Sequence, residues 1–409
     1  MADCRKRLFL YRDLFVFLVF PMFEGLPTTI EFQLSLLLFV ALAGYLIASK
    51  INQSAIVWEI LVGIAIGPSL LGLITYTDSV QIFAQLGAVV LLFVVGLEFN
   101  IKDVFNLKYG IIALIGVIVP WFGGFFLAEF FGYDFISSVF VGTALTATSI
   151  AITANVLREM GKLQTEAAKA IIGAAVIDDV LGLLVLSFSM QLKSDTISIV
   201  PIVLVIIEAV VFMVVGGYVG HVYLSRLIER LDATKFAGRY PEAIFLFAMM
   251  IAFIYSMIAE LIGLSAIVGA FLAGVALTSC IIKHGKNFKE GAEYLMIIFA
   301  SIFFVSLGIL ADFHALTLQI LWFLIALTII AFLTKIIGCY LGARIGRMSH
   351  KNSLIVGMGM APRGEVAMIV ALIGLNLGVI QQDIYVSIIL MSLLTTIFVP
   401  IILRHFMKD

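Results

Sequence analysis

The sequence predicts an all-α polytopic membrane protein with thirteen transmembrane helices, or fourteen if the N-terminal segment also spans the membrane. Of its 409 residues, 63% are hydrophobic and only 12% are charged, about half the charged fraction of a soluble protein. Apolar runs of about 20 residues, the length that crosses a bilayer, recur along the chain. Basic residues collect in every second connection between these runs, as loops on the cytoplasmic side of a membrane do.

The apolar runs divide the chain into thirteen predicted helices joined by connections too short for a soluble domain. The basic connections begin with Lys50 after the first helix and end with Arg404 and Lys408 after the last, so we expect a multi-pass cell-membrane protein with a cytoplasmic C-terminus. The predicted helices are 29–48, 55–73, 80–98, 108–131, 136–158, 167–191, 198–225, 240–262, 264–283, 292–311, 316–345, 353–378 and 382–406.

Residues 1–28 form an N-terminal segment that allows several interpretations. It contains RKRLFLYRDLFVFLVFPMF, a basic start followed by an apolar stretch that Arg12 and Asp13 interrupt. A fourteenth helix with its basic end on the cytoplasmic side agrees with the charge pattern. An interfacial helix, an uncleaved leader or a start at Met22 remain alternatives.

Composition argues against several kinds of partner. The net charge of −1 gives no sign of nucleic-acid binding, and no G-x-x-x-x-G-K-[ST] phosphate loop indicates a nucleotide. Cys4, Cys280 and Cys339 are too few and too scattered for a disulfide framework or a metal site. We therefore expect the lipid bilayer as surroundings, no cofactor, and an ion gradient as the energy source.

Two adjacent aspartates lie in the middle of a predicted membrane helix. Asp178 and Asp179 occur in GAAVIDDVLGLLVL, where each carboxylate costs about 2.5–3.5 kcal/mol on insertion. Lys335 lies mid-helix in AFLTKIIGCYLG and can neutralise one of them. Consecutive helical residues point about 100° apart, so one aspartate can meet Lys335 while the other faces a cavity. A purely structural ion pair with a spare buried acid is the alternative.

Further charges remain inside predicted helices. Arg363 and Glu365 lie in VGMGMAPRGEVAMIV, and Glu208 lies within helix 198–225. Four further acids lie nearer helix ends, where we expect most of their side chains to reach the interface: Glu59, Glu98, Glu129 and Glu260.

Two predicted helices have interrupted centres. The centre of 136–158 reads TALTATSIAIT, rich in Thr and Ser, and the centre of 353–378 reads GMGMAPRGE. Pro362 removes a backbone donor and obstructs the preceding turn. A break at membrane depth is tolerated only where it is buried in protein or lines a wet cavity.

The interrupted helices occupy matching places in two triplets of helices, 108–191 and 316–406. They are the fifth and twelfth predicted helices, so the two triplets have opposite orientations in the membrane. An inverted repeat with paired interrupted helices indicates the midplane binding site of a secondary transporter.

These segments together resemble a known family. TALTATSIAIT, GAAVIDDVLGLLVL, the lone Lys335 and GMGMAPRGEVAMIVALIGL are similar to the bacterial sodium/proton antiporters of the cation:proton antiporter-2 family, in particular its two-aspartate, NapA-like type. EILVGIAIGPSLLGL and LGAVVLLFVVGLEF resemble its early helices, so the likeness covers about residues 29–406.

The resemblance implies an inverted-repeat antiporter fold in which two broken helices cross, and a homodimer. Its core ion-transport domain comprises 108–191 and 316–406, and 198–225 is a linker helix. The dimerisation domain comprises 29–98 and 240–311.

The resemblance also implies roles for site residues. Asp179 carries the transported Na⁺ and the proton, and Asp178 contributes to the ion site and pairs with Lys335. Thr148 and Ser149 lie near the ion on the broken helix.

Arg363 and Glu365 are implied to balance the charges of the crossing. The N-terminal segment departs from the family pattern, which does not settle its role. The potassium-efflux branch carries a nucleotide-binding domain and Gln before a single Asp, neither of which occurs here.

The predicted function is therefore not enzymatic. We expect electrogenic exchange of Na⁺ or Li⁺ for H⁺ by alternating access, serving pH homeostasis. A K⁺/H⁺ antiporter of the same fold is the nearest alternative, and a passive channel is another class. An intramembrane aspartyl protease is a distant alternative, because its two acids normally come from different helices.

Overall fold

The computed structural model describes residues 29–51, 54–99, 107–192, 199–240, 242–280, 288–311, 313 and 318–407. Within these ranges the ordered elements are all helices. The N-terminal segment 1–28, with its predicted extra helix, lies outside the described residues.

The helices agree closely with the thirteen predicted apolar runs, and each interrupted run appears as two helices. In chain order they are α1 Ile30–Ile51, α2 Ala55–Ile66, α3 Asp78–Gly96, α4 Leu107–Phe130, α5 Phe135–Thr146, α6 Ile150–Glu159, α7 Glu166–Gln191, α8 described below, α9 Lys235–Arg239, α10 Glu242–Leu261, α11 Ala266–Leu277, α12 Phe288–Ile309, α13 Leu318–Ile345, α14 His350–Gly359, α15 Glu365–Asn376 and α16 Gln382–Phe406.

Helix α8 is continuous and contains two π-helical segments. It begins as Ile199–Val211, passes through the π segments Phe212–Gly216 and Gly220–Leu224, and ends as Ser225–Asp232. The Tyr255 hydroxyl donates a 2.7 Å hydrogen bond to the Gly216 carbonyl oxygen, which satisfies a carbonyl in the first π segment. The prediction of 198–225 therefore ended this helix too early.

Ten spans in the described residues are long and apolar enough to cross a membrane, and one of them comprises both α5 and α6. Three shorter apolar helices, Ala55–Ile66, Ala266–Leu277 and Val366–Asn376, accompany them. The all-α, multi-span architecture is confirmed, whereas the total of thirteen transmembrane helices stays a prediction.

One predicted helix, 55–73, is much shorter in the structure. Helix α2 ends at Ile66, and Gly67 has an extended backbone with ψ −176°. The next residue is Pro68, whose ring disfavours a helical conformation in the residue before it. The apolar run continues to residue 73, but the proline ends the helix.

Helices α4 and α13, which open the two triplets, pack closely along each other. A Cβ atom added at Gly116 would lie 2.5 Å from Cys339 Sγ, and one at Gly342 would lie 2.7 Å from Ile112 Cα. Residue numbers rise along α4 as they fall along α13, so the two helices are antiparallel. This is the relationship that the predicted inverted repeat requires.

A second group of helices packs beside the triplets. Gly63 of α2 faces Gly308 of α12, and Gly274 of α11 faces Gly96 at the end of α3, with the backbones in contact at both places. Small residues at such crossings are typical of membrane helix packing, because they allow dispersion contacts between backbones. This group forms a scaffold along α6, α8 and α16.

Candidate functional site

The first interrupted helix is broken where the hydroxyl-rich sequence predicted it. Helix α5 ends at Thr146 and α6 begins at Ile150. Between them Ala147 has φ −62° and ψ 141°, and Ser149 has φ −89° and ψ 108°. The chain is therefore extended for three residues, so backbone groups that a helix would pair become available at membrane depth.

The second break is shorter than the glycine pattern suggested. Helix α14 continues to Gly359, and α15 begins at Glu365. Gly357 lies within α14, where an added Cβ would lie 2.7 Å from the Ile336 carbonyl oxygen. It provides close packing and not flexibility, so Pro362 and Gly364 are the residues of the motif that lie in the break.

The two breaks lie directly against each other. The Ser149 backbone N–H donates to the Pro362 carbonyl oxygen at 2.9 Å, and the Thr148 hydroxyl donates to the Met360 carbonyl oxygen at 3.3 Å. Each break thus satisfies polar groups that the other exposes, as buried backbone requires. The predicted contact between two broken helices is confirmed.

Lys335 joins three elements at this crossing. Its ammonium lies 2.8 Å from Asp178 Oδ1, and both side chains are 0% exposed. It also donates to the Thr146 carbonyl oxygen at 2.7 Å. The lysine of α13 therefore contacts the aspartate of α7 and the last carbonyl of α5 together.

Arg363 is a second buried cation at the end of α5. Its side chain is fully buried, and Nη1 donates to the Ala147 carbonyl oxygen at 2.6 Å. A helix C-terminus carries roughly half a negative charge, so Lys335 and Arg363 both stabilise the end of α5. The sequence predicted charge balance for Arg363 but not this helix-capping contact.

Two neighbouring threonines of α16 hold the backbone of Arg363. Thr395 Oγ1 accepts from the Arg363 N–H at 3.1 Å, and Thr396 Oγ1 donates to its carbonyl oxygen at 2.9 Å. Sequence reasoning missed these residues. The two adjacent hydroxyls in the middle of a mostly apolar helix were the signal, because polar groups at membrane depth usually have a partner.

Asp179 follows Asp178 on α7 and retains more exposure. The whole residue is 8% exposed, compared with 1% for Asp178. One turn further along, Gly182 faces Thr146 Oγ1, so this part of α7 lies along the end of α5. Consecutive helical residues point about 100° apart, and Asp179 keeps more of its surface exposed than Asp178.

Unsatisfied oxygens lie near this end of α5. Asp178 Oδ2 and Ser149 Oγ are buried and have no hydrogen-bond partner among the described residues. The side chain of Glu365 lies outside the described part of the structure, although its backbone begins α15. Its predicted part in balancing the charges of the crossing therefore stays a prediction.

The expectation that Glu59 extends to the interface is wrong. Its side chain is only 3% exposed, and it forms a side-chain hydrogen bond with Ser301 of α12. Helix α1 approaches so closely that a Cβ added at Gly44 would lie 3.0 Å from the Glu59 nitrogen. Neighbouring helices cover Glu59 before it can reach water.

Comparisons with known proteins agree with this geometry. Residues 36–409 match the family described as sodium/hydrogen exchanger, transmembrane. The Na⁺/H⁺-K⁺ antiporter GerN of Bacillus cereus is 36% identical over 382 residues, which are 91% of this chain and 95% of that protein. The Na⁺/H⁺ antiporter of Enterococcus hirae is 35% identical over 386 residues, 92% of this chain and 97% of that protein.

The fold is also similar to a solved structure. The sodium proton antiporter MjNhaP1 from Methanocaldococcus jannaschii superposes with a TM-score of 0.64 and 18% identity, covering 92% of this chain and 95% of that one. At this identity the likeness concerns the fold alone. The two-aspartate subtype stays a prediction, but the match over residues 36–409 shows that this multi-span membrane chain belongs to the sodium/hydrogen exchanger family.

Proposed function

We propose that this chain is a secondary transporter that exchanges Na⁺ for H⁺, with Asp179 as the carboxylate that the two ions share. The observation that carries the proposal is the unequal environment of two adjacent acids. Asp178 is fully covered and contacts Lys335 at 2.8 Å, whereas Asp179 keeps an exposure of 8%. A carboxylate can hold a proton or coordinate a cation, but not both at the same oxygen, so binding of one ion releases the other.

The surrounding groups suit a hard cation. Na⁺, like other hard cations, prefers oxygen ligands, and the breaks supply them as hydroxyls and carbonyls. Ser149 Oγ has no hydrogen-bond partner among the described residues, and Thr148 lies in the same extended stretch. We propose that these oxygens complete the coordination of an ion at Asp179, with Asp178 nearby.

Electrogenic exchange follows if more than one proton moves for each Na⁺. The Asp178–Lys335 pair supplies a second group that can change its protonation when the ion binds. Arg363, which contacts Ala147, keeps the end of α5 neutralised throughout the cycle. We propose that Glu365 balances Arg363 from the start of α15.

Alternating access requires the triplets, 108–191 and 316–406, to move against the scaffold, 29–98 and 240–311, with α8 as the linker. Arg158 of α6 lies 3.7 Å from Glu98 and 3.7 Å from Glu293, across the boundary between the two groups. Partly exposed ion pairs contribute about 0–1 kcal/mol each. Such ion pairs can stabilise one conformation of the transporter and still break during transport.

The assembly and orientation are part of the same proposal. The scaffold is the expected homodimer interface, and the basic connections place the C-terminus, after Arg404, in the cytoplasm. The activity would serve pH and sodium homeostasis across the cell membrane.

K⁺ is the alternative substrate, because the name of the Bacillus cereus relative includes both Na⁺ and K⁺. Proton flux in proteoliposomes, driven by Na⁺, Li⁺ or K⁺ gradients in turn, separates these possibilities. We expect Na⁺ and Li⁺ to produce flux that saturates. Conductance without proton coupling would instead indicate a channel. An aspartyl protease is disfavoured, because one of the two acids forms an ion pair with a lysine.

A further inference from the structure

Glu208 is a membrane-embedded carboxylate that the proposed ion site does not use. It lies in Ile199–Val211, the first part of α8, whose sequence IVPIVLVIIEAVV contains no other charge. A carboxylate at such a position costs about 2.5–3.5 kcal/mol and usually lines a substrate path or meets a partner.

The side chain of Glu208 lies at the edge of the packed face of α8. Leu204, Ile207 and Val211 are exposed on the lipid-facing side. Glu208 is partly buried, and its neighbour Ala209 is 1% exposed. Because positions three and four apart share a helix face, the buried Phe212 extends this packed stripe. Leu204 and Val211, which are also three or four positions from Glu208, are exposed, so Glu208 lies at the boundary between the packed face and the lipid-facing side.

One element packed against this part of α8 is α7, the helix that carries the two aspartates, whereas Phe212 contacts Tyr255 of α10. The segment Ile199–Val211 packs against α7, and residues 192–198 connect the two helices. At 1.5 Å per residue, Asp179 lies about 18 Å from the end of α7 at Gln191, and Glu208 about 14 Å from the start of α8. The two carboxylates are thus within about one helical turn in depth.

Among the described residues, Glu208 has no hydrogen-bond or ion-pair partner. A structural role would call for a cation or a donor against this side chain, because an unpaired buried charge is strongly unfavourable. A path that admits water and cations along α7 accounts for both the position and the missing partner.

We propose that Glu208 is a cation-collecting carboxylate on the path between Asp179 and the membrane face at which α7 ends and α8 begins. This inference rests on the proposed antiport function and extends it. Glu208 binds the arriving Na⁺ or proton before Asp179 does, and its negative charge raises the local cation concentration. In the proposed orientation this is the outer face, so Glu208 serves uptake and release on that side.

The test compares Glu208→Gln, Glu208→Asp and Glu260→Gln in sidedness-controlled proteoliposomes. Glu260 is an exposed acid near the end of α10, so its substitution changes the charge equally and touches neither α7 nor α8. We expect Glu208→Gln to raise the apparent KM for Na⁺ roughly three- to tenfold on the outer side. The maximal rate of Glu208→Gln, and its KM for Na⁺ on the other side, should change less than twofold. Glu208→Asp should retain most of the affinity for Na⁺ on the outer side. Glu260→Gln should behave as wild type.

Two results would overturn the assignment. Unchanged kinetics in Glu208→Gln would show that no cation uses this carboxylate. A lower melting temperature with equal loss in Glu208→Gln and Glu208→Asp would show a packing role. If wild-type protein carries K⁺ and not Na⁺, the proposed substrate is wrong, and the same comparison with K⁺ still decides the role of Glu208.

Discussion

The Ser149 backbone N–H donates a 2.9 Å hydrogen bond to the Pro362 carbonyl oxygen, which joins two helix breaks that are 213 residues apart in the sequence. Proline has no N–H to donate, and the Pro362 carbonyl oxygen, which lies outside a helix, accepts from the other repeat. Each break therefore uses the other to satisfy a backbone polar group. The contact fixes the ends of α5, α6, α14 and α15 around one point, where Lys335 and Arg363 supply positive charge.

Asp179→Asn should abolish coupled transport in a folded protein. The substitution keeps the size and polarity of the side chain but removes the carboxylate that Na⁺ and H⁺ are proposed to share. The measurement is Na⁺-dependent proton flux in proteoliposomes. Asp78→Asn, an exposed acid in the first turn of α3, is the control and should keep wild-type flux. Substantial exchange by Asp179→Asn would remove this residue from the mechanism.

Lys335→Ala should lower the thermal stability substantially. Removing one partner of a buried ion pair costs about 3–5 kcal/mol, because the remaining charge is uncompensated. Adding Asp178→Asn should restore part of the melting temperature but not all of it, since the hydrogen bond from Lys335 to the Thr146 carbonyl oxygen is still missing. A double variant no more stable than Lys335→Ala would mean that Asp178 is not the important partner.

Proton and Na⁺ should compete kinetically. If both require the same unprotonated Asp179, the apparent KM for Na⁺ should rise as the pH falls, approaching tenfold per pH unit for one competing proton. The maximal rate at saturating Na⁺ should change much less. Transport measured across about pH 5.5–9 tests this directly. A constant KM with a steep change in maximal rate would indicate a separate regulatory group.

Gly364→Ala should disrupt the contact between the two breaks. An added Cβ would lie 2.7 Å from both Cβ and Oγ of Ser149, closer than packed atoms tolerate, so either the crossing shifts or Ser149 moves. We expect reduced transport and a loss of about 1–3 kcal/mol from overpacking. Gly110→Ala is a matched control, because no neighbour lies within 4 Å of its added Cβ and alanine favours a helix. Equal behaviour of the two variants would contradict a tight crossing.

Tyr255→Phe should weaken the first π segment of α8. The variant retains the ring but loses the hydroxyl that donates to the Gly216 carbonyl oxygen at 2.7 Å. The expected loss is about 0.5–1.5 kcal/mol, with faster amide exchange confined to α8. Tyr223 is an exposed tyrosine of α8, and Tyr223→Phe should leave both the stability and the amide exchange of α8 unchanged.

The sequence alone determined the membrane class, most helix positions and the two interrupted helices. These features depend mainly on local composition, because an apolar run of bilayer length crosses a membrane in almost any fold. The adjacent Asp178 and Asp179 were evident for the same reason, since carboxylates at membrane depth are costly.

Only the tertiary structure decided which groups meet. Lys335 contacts the Thr146 carbonyl oxygen as well as Asp178, Arg363 contacts Ala147, and Glu59 is covered by neighbouring helices. A backbone carbonyl acquires partial charge at a helix end, but the identity of the cation that reaches it depends on how distant helices pack. The sequence of a helix shows that a buried charge or a break needs a polar partner. The residue that supplies that partner lies on helices that are distant in the sequence.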